Sequence, residues 1–363
     1  MDNIIDTKHS KFQIMKKIYL FILLIFFTVI SFGQDIHFSQ YTEAPLYLNP
    51  ALATVSYDTR AIGYYRSQWG SIGKSYLTYG ISVEQAINHL KLKANHFGIA
   101  LNIFYDNAGN GLIKNLMPYL GANYVMKVAA NSKLSLGLQF GTSVKTINSS
   151  NFTWDSQYDN STLKYNSNLP GENVPTTSIA RFDMGGGINY HYARSERYIS
   201  AEDGAKFDFG VAAYHFTSPK FSFFNTGDKL YMRYIGYFNG DFGIKSAGIA
   251  LVPSITYIKQ GPSREITSGF MVKYIIKDQS VYTGAVKAMS LSLGAYYRLK
   301  DAVIPTLLFQ FDKWGLGLAY DINLSDLTPV TRTKGGFEVA LRYNMSPGYG
   351  KALGGNFNKS YMR

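Results

Sequence analysis

Between Lys133 and Lys145, Leu134, Leu136, Leu138, Phe140 and Val144 alternate with Ser135, Gly137, Gln139, Gly141 and Ser143. Strict alternation of this kind predicts a β-strand with one oily face. The parity returns from Lys313 to Leu324, where Trp314, Leu316, Leu318, Tyr320, Ile322 and Leu324 face Gly315, Gly317, Ala319, Asp321 and Asn323. That length suits a membrane-crossing strand. Phe97, Ile99, Leu101, Ile103 and Tyr105 repeat it, as do Phe207, Phe209 and Val211, then Leu291, Leu293 and Tyr297, and finally Phe337, Val339, Leu341 and Tyr343. Asn131-Ser132 and Lys277-Asp278-Gln279-Ser280 read as tight turns. Residues 148–177 lack periodicity, carry Pro170 and Pro175, and read as a long loop at the cell surface; a second loop runs from Ser218 to Lys229.

A soluble sandwich also alternates, but it places charges on its outward face. Here the second parity is rich in Gly, Ser, Ala and Asn, which fits a barrel interior. Tyr64 and Tyr65, Tyr76 and Tyr79, Tyr190 and Tyr192, and Tyr296 and Tyr297 gather near strand ends, as interfacial girdles do. The fold predicted is all-β, a transmembrane outer-membrane β-barrel of about 14 antiparallel strands, multi-pass, spanning residues 57–344, with an N-terminal periplasmic or plug segment.

The termini are different in kind. Lys16 and Lys17 precede an apolar run from Ile18 to Ile30, followed by Ser31-Phe32-Gly33. Residues 1–33 therefore read as a removable signal peptide whose start is Met15. Residues 34–56 hold Pro45 and Pro50, several aromatics and little alternation, so they cannot be a spanning strand. They are expected to fold against the periplasmic mouth or into the lumen. Residues 345–363, Gly-rich and basic, read as a flexible tail.

Composition narrows the class further. The chain has Tyr 29, Phe 24 and Gly 34 but no cysteine, so an exported protein of this kind relies on hydrogen-bond closure and burial in place of disulfides. A mean hydropathy of −0.09 is what a barrel shows when oily and polar residues alternate. The formal charge of +12 is scattered and forms no stripe; nucleic acid is therefore not an expected partner, and outer-membrane lipid or lipopolysaccharide is. His9, His37, His89, His96, His191 and His215 have no metal-ligand spacing, and no nucleophile elbow or phosphate loop is present. Gly185-Gly186-Gly187 lies in a strand-like run and reads as a bend or close backbone approach. Arg181 with Asp183, and Glu338 with Arg342, share a face and read as lumen-lining pairs. No catalytic residue, cofactor or metal is expected.

The sharpest motifs are Gln34-Asp35-Ile36-His37-Phe38-Ser39-Gln40-Tyr41, Pro45-Leu46-Tyr47-Leu48-Asn49-Pro50-Ala51 and Tyr65-Arg66-Ser67-Gln68-Trp69, with Tyr296-Tyr297-Arg298, Gly317-Leu318-Ala319-Tyr320-Asp321 and Gly336-Phe337-Glu338-Val339 near the other end. In these the chain resembles the PorP/SprF family of type IX secretion outer-membrane proteins. Where relatives commonly read Gly-Ser-His-Glu, this chain has Gly335-Gly336-Phe337-Glu338, so no role for that histidine carries over. The resemblance implies a non-enzymatic component that anchors or helps export a cell-surface adhesin bearing a C-terminal sorting domain, or links to periplasmic ring proteins and peptidoglycan-linked lipoproteins, in gliding bacteria among others. The competing reading is a general porin or hydrophobic-ligand transporter. Aromatic and arginine side chains are the usual interface anchors, which makes Phe38, Tyr41, Tyr47, Asn49, Arg66 and Trp69 the candidate partner-contacting residues. Core packing of a plug is the alternative role for each.

Overall fold

A computed structural model describes residues 35–87, 95–109, 113–148, 152–172, 178–194, 204–219, 222–223, 229–244, 247–277, 287–326 and 328–345. The alternating segments form fourteen strands: β1 (Thr59–Gln68), β2 (Tyr76–Ile87), β3 (His96–Ala108), β4 (Ile113–Ala129), β5 (Ser132–Ile147), β6 (Ser178–Arg194), β7 (Ala205–Tyr214), β8 (Arg233–Ile244), β9 (Ile249–Gln260), β10 (Ser263–Lys277), β11 (Met289–Arg298), β12 (Ala302–Phe311), β13 (Trp314–Asn323) and β14 (Lys334–Met345). Each pairs antiparallel with its sequence neighbour, and β1 closes the barrel against β14, from Thr59↔Met345 to Gln68↔Gly336. Closure leaves no strand edge, the condition for burying backbone in lipid. The expected signal peptide, the tail beyond 345 and the turn at 278–280 lie outside the described residues.

Three strand prolines, Pro118, Pro253 and Pro305, lack an N–H to donate. Beside each, the ladder to one neighbour skips pairs: Leu116↔Val144 is followed by Tyr119↔Gly141, Asn239↔Ser254 by Phe242↔Leu251, and Val303↔Ile322 by Thr306↔Ala319. The sheet absorbs the missing donors without opening.

The outward parity is the one the alternation picks out. Leu138, Phe209, Phe270 and Leu293 are each more than half exposed, in one continuous apolar band. Water does not tolerate so large an oily wall; the hydrocarbon of a bilayer does. The inward parity departs from expectation, because Tyr64, Phe104, Tyr119, Tyr214, Tyr237 and Tyr296 also point into the lumen and are buried there. The paired tyrosines are thus divided. Tyr64 and Tyr296 are buried, whereas their neighbours Tyr65 and Tyr297 face outward, since adjacent strand residues must point to opposite sides.

The two longest links, 148–177 and 215–232, leave the barrel where β1 finishes; β1 starts and β14 ends at the opposite mouth. Link 148–177 carries a small hairpin pairing Tyr158–Asp159 with Lys164–Tyr165, folded around buried Gln157, whose Nε2 donates to Leu169 O at 3.1 Å.

Candidate functional site in the barrel lumen

Residues 35–57 run down the inside of the barrel, from the long-link mouth to the start of β1. Local chemistry shapes this plug into three tight turns. A 3-10 turn (Tyr41–Glu43) leads to a single α-turn (Pro45–Leu48) and a second 3-10 turn (Pro50–Leu52). Pro45 and Pro50 occupy first-turn positions, where a missing N–H costs nothing. Asn49 caps the last turn, its Oδ1 accepting from Ala51 N–H at 2.8 Å. Its amide also donates to Ile188 O at 3.0 Å, Val211 O at 3.2 Å and the Tyr237 hydroxyl at 3.1 Å. One fully buried side chain therefore caps the plug and fastens it to β6, β7 and β8.

The plug lies directly on the backbone of the wall. A Cβ at Gly137 would strike Ala51 and Pro50, one at Gly187 the Asn49 amide, one at Gly98 the Thr54 side chain, and one at Gly317 the Gln40 amide. These glycines hold seats for the chain. Phe38 fills a ring cluster with Tyr47, Tyr64 and Phe104, at centroid distances of 5.2, 5.5 and 5.3 Å. On the other side Tyr41, Leu48 and Leu52 pack with Tyr237, Met271, Tyr296 and Ile304.

Polar contacts fasten the upper plug. The Glu338 carboxylate accepts from Ser39 N–H at 2.7 Å and Gln40 N–H at 2.8 Å, and pairs with Arg66. Arg66 also reaches Ser39 Oγ at 2.9 Å and Asp321 at 3.2 Å. Arg298 donates to Ser39 Oγ at 2.5 Å and to Asp301 at 2.8 Å. Arg342 binds Glu43 at 2.7 Å. The same-strand pairs expected from parity are thereby corrected. Glu338 and Arg342 each reach a different partner, and Asp183 is held by the Tyr119 hydroxyl at 2.8 Å and by His215, while Arg181 is exposed. Charges inside a narrow lumen pair with whatever crosses it, and the plug crosses it.

The leading tip is held by an imidazole. His215, just past β7, places Nε2 2.5 Å from Asp35 and Nδ1 2.8 Å from Asp183. Burial alone would lower its pKa, but the two carboxylates outweigh it and raise the ring to about 9. Burial likewise opposes ionisation of Asp35, yet His215 and Arg233 hold its carboxyl far below the usual range. With both ring nitrogens engaged by carboxylates, His215 has none left to activate a hydroxyl. His37 is held neutral by burial and by nearby Arg66 and Arg298, so its Nε2 accepts from Arg66 at 3.0 Å. Burial pushes the Tyr41 hydroxyl up to about 12, and Tyr47 is also raised; Tyr47 accepts from Arg233 at 2.7 Å.

Of the six candidate contact residues, Phe38, Tyr41, Tyr47, Asn49 and Arg66 are buried inside the lumen, joined to wall or plug. Trp69 stands apart at the long-link rim. It has a positive φ of 56°, its ring packs edge-on against Tyr76 at 5.0 Å, and its backbone N–H donates to Gly335 O at 2.9 Å. Asp321 and the seats at Gly98, Gly137 and Gly317 were not picked out from sequence, since their partners come from distant parts of the chain. The close backbone approach expected at Gly185-Gly186-Gly187 is met at Gly187 against Asn49, and Asp183 lines the lumen as expected but with Tyr119 and His215 as its partners. Among the described residues, no group of three or more His, Asp or Glu side chains is arranged to hold a metal ion.

The family model described as "Type IX secretion system membrane protein PorP/SprF" matches residues 30–343, nearly the whole of the plug and barrel. The chain belongs to the PorP/SprF family. The Phe-Ser-Gln-Tyr and Leu-Asn-Pro-Ala stretches of this PorP/SprF chain are the parts of the plug that grip the wall. Membership and the closed fourteen-strand barrel place it in the outer membrane as a component of type IX secretion. A search among curated proteins finds no match. Solved structures similar to it are barrels of low identity. BamA from Haemophilus ducreyi lacking POTRA domains 1–3 is 11% identical, covering 79% of this chain and 70% of that one, with a TM-score of 0.39. A Pseudomonas aeruginosa FadL homologue is 10% identical over 79% and 89%, with a TM-score of 0.36. The CymD monoaromatic hydrocarbon channel is 8% identical over 87% and 95%, with a TM-score of 0.41.

Proposed function

We propose that this barrel is a closed anchoring component of type IX secretion, one that holds or helps export a surface adhesin with a C-terminal sorting domain, or links the outer membrane to periplasmic ring proteins and peptidoglycan-linked lipoproteins, and that serves gliding where the cell glides. The observation that carries this reading is the plug. A lumen occupied by the protein's own buried, ion-paired segment suits a scaffold better than a diffusion path. Binding then falls to the two mouths. The long-link mouth, with loop 148–177 and Trp69, faces the cell surface, and the short-turn mouth faces the periplasm, as in other bacterial barrels. The candidate contacts divide accordingly: Trp69 is available to a partner, and Phe38, Tyr41, Tyr47, Asn49 and Arg66 act by holding the plug.

Deletion of the chain, followed by surface proteomics and pull-down from detergent extract, tests this. The expected result is loss of particular sorting-domain proteins from the surface and their co-purification, or that of a peptidoglycan-linked lipoprotein, with the tagged barrel. Unchanged export together with a steady conductance in planar bilayers would overturn it in favour of a porin or hydrophobic-ligand transporter.

A further inference from the structure

The outer wall is not uniformly convex. Across β3 to β8 runs an apolar trough of about 710 Å3. Its course follows from register: Ala122, Leu138, Gly186, Ala213 and Tyr234 are successive cross-strand neighbours along one row. Three of these, Ala122, Gly186 and Ala213, carry a methyl or nothing, so the row sinks below its flank of Leu136, Ile188 and Val211. Gly186 is the floor. A Cβ there would come within 2.8 Å of Leu138 Cδ2 and 3.1 Å of Gly137 O. On the inner side, neighbouring Gly187 and Gly137 seat Asn49 and Ala51, so a single layer of backbone separates trough from plug.

Followed toward the long-link mouth, the same row passes from Tyr234 to Lys259 and then Arg264, both exposed. Outward parity places these two cations where the membrane-facing wall ends. From Gly186 to Lys259 is three strand spacings, about 14 Å along the tilted wall. A carbon-lined furrow continuous with the lipid-facing wall excludes any occupant that needs hydrogen bonds along its length. The two cations, one and two strands beyond the end of the trough at Tyr234, select an acidic end group.

We propose that the trough binds one membrane lipid of net negative charge, an acyl chain lying over Gly186 and Ala213 and the anionic head group between Lys259 and Arg264. The bound lipid is an integral part of the wall, distinct from the exchanging shell around the rest of the barrel.

The test uses the full chain purified in mild detergent and titrated with phosphatidylglycerol or phosphatidylethanolamine of identical acyl chains, with retained lipid counted by native mass spectrometry. One phosphatidylglycerol per chain is expected to survive, with phosphatidylethanolamine lost. The double variant Lys259→Gln/Arg264→Gln should weaken retention about tenfold, the scale of losing charge-assisted contacts. Ala213→Leu, which fills the furrow, should abolish it. Lys114→Gln, an exposed cation at the same mouth but off the row, should change nothing. Should Ala213→Leu fail to fold, the double variant decides, since it alters only exposed side chains. Equal retention of both lipids, or equal retention by all variants, overturns the proposal.

Discussion

The two halves of the plug are fastened by different physics. From Asp35 to Glu43 the chain is held by charge, through Glu338, Arg66, Arg298, Arg342 and His215. From Asn49 to Val55 the plug carries no charged side chain and is held mainly by shape and by hydrogen bonds to its backbone and amide, on glycine seats and through Asn49, with Lys133 donating to Val55 O at 3.2 Å. Charge pairs are sensitive to the loss of a partner, because the survivor stays buried and unpaired. Shape is sensitive to added volume. The upper half should therefore respond to charge deletion and pH, the lower half to single carbons.

Glu338→Ala should have the largest effect. It leaves Arg66 with Asp321 as its one remaining carboxylate and the N–H groups of Ser39 and Gln40 without an acceptor in a buried site, at a cost of about 3–5 kcal/mol. Urea unfolding in detergent micelles measures the loss. The chain has no cysteine, so Ile36→Cys gives a single maleimide target that should label faster in the variant. Glu338→Gln keeps one acceptor and should lose less; equal losses would show that the charge does not matter and erase the contrast between the halves.

In the lower half, Asn49→Ala removes the cap and both amide N–H donors, shared among Ile188 O, Val211 O and the Tyr237 hydroxyl, a loss of about 3 kcal/mol. Asn49→Asp sharpens the point. It preserves the cap to Ala51 but turns a carboxylate toward Ile188 O and Val211 O, so it should be worse than alanine despite its shape. If Asp proves milder, the amide is not the anchor.

Smaller still is Gly187→Ala. The new methyl meets Asn49 Oδ1 and lies 2.7 Å from Val211 O, and overpacking against backbone costs about 1–3 kcal/mol. Gly63→Ala, with nothing within 4 Å, is the matched control and should be near neutral. A similar cost at both positions would mean that the backbone, and not the plug, sets the need for glycine.

The barrel was legible because alternation is local: Leu134 to Val144, or Trp314 to Leu324, announces a one-sided strand without reference to anything distant. The plug was half legible. Two prolines barred residues 34–56 from spanning, but nothing local told which wall each side chain would meet. Glu338 and Arg342 were read as partners because they share a face of β14, whereas Arg342 reaches the plug at Glu43, and Glu338 pairs with its cross-strand neighbour Arg66 on β1 and with the plug backbone at Ser39 and Gln40. One signal was present and unread. Tyr64, Phe104, Tyr214 and Tyr296 occupy the otherwise small or polar parity, and large aromatics facing inward require apolar surface inside the barrel to meet them. That surface is Phe38, Tyr41, Tyr47 and Leu48.

The gentlest way to separate the halves is pH. His215 is protonated between Asp35 and Asp183, with its pKa raised from 6.5 to about 9, so its contribution to holding the tip is complete below about pH 6.5 and disappears as pH climbs through 9. Asp35, held low, contributes above its ordinary range and loses that only in strong acid. The tip should thus stay docked from mildly acidic to neutral conditions and loosen on the alkaline side. Labelling of Ile36→Cys, corrected for thiolate reactivity with a cysteine placed in loop 148–177, should rise with a midpoint near pH 9, while a cysteine at Leu52 stays protected throughout. In His215→Asn the tip should label readily at neutral pH and the step should vanish. A step that survives in His215→Asn, or protection that fails at residues 36 and 52 together, would show a plug released as one body and dissolve the distinction between its charged and its shape-held half.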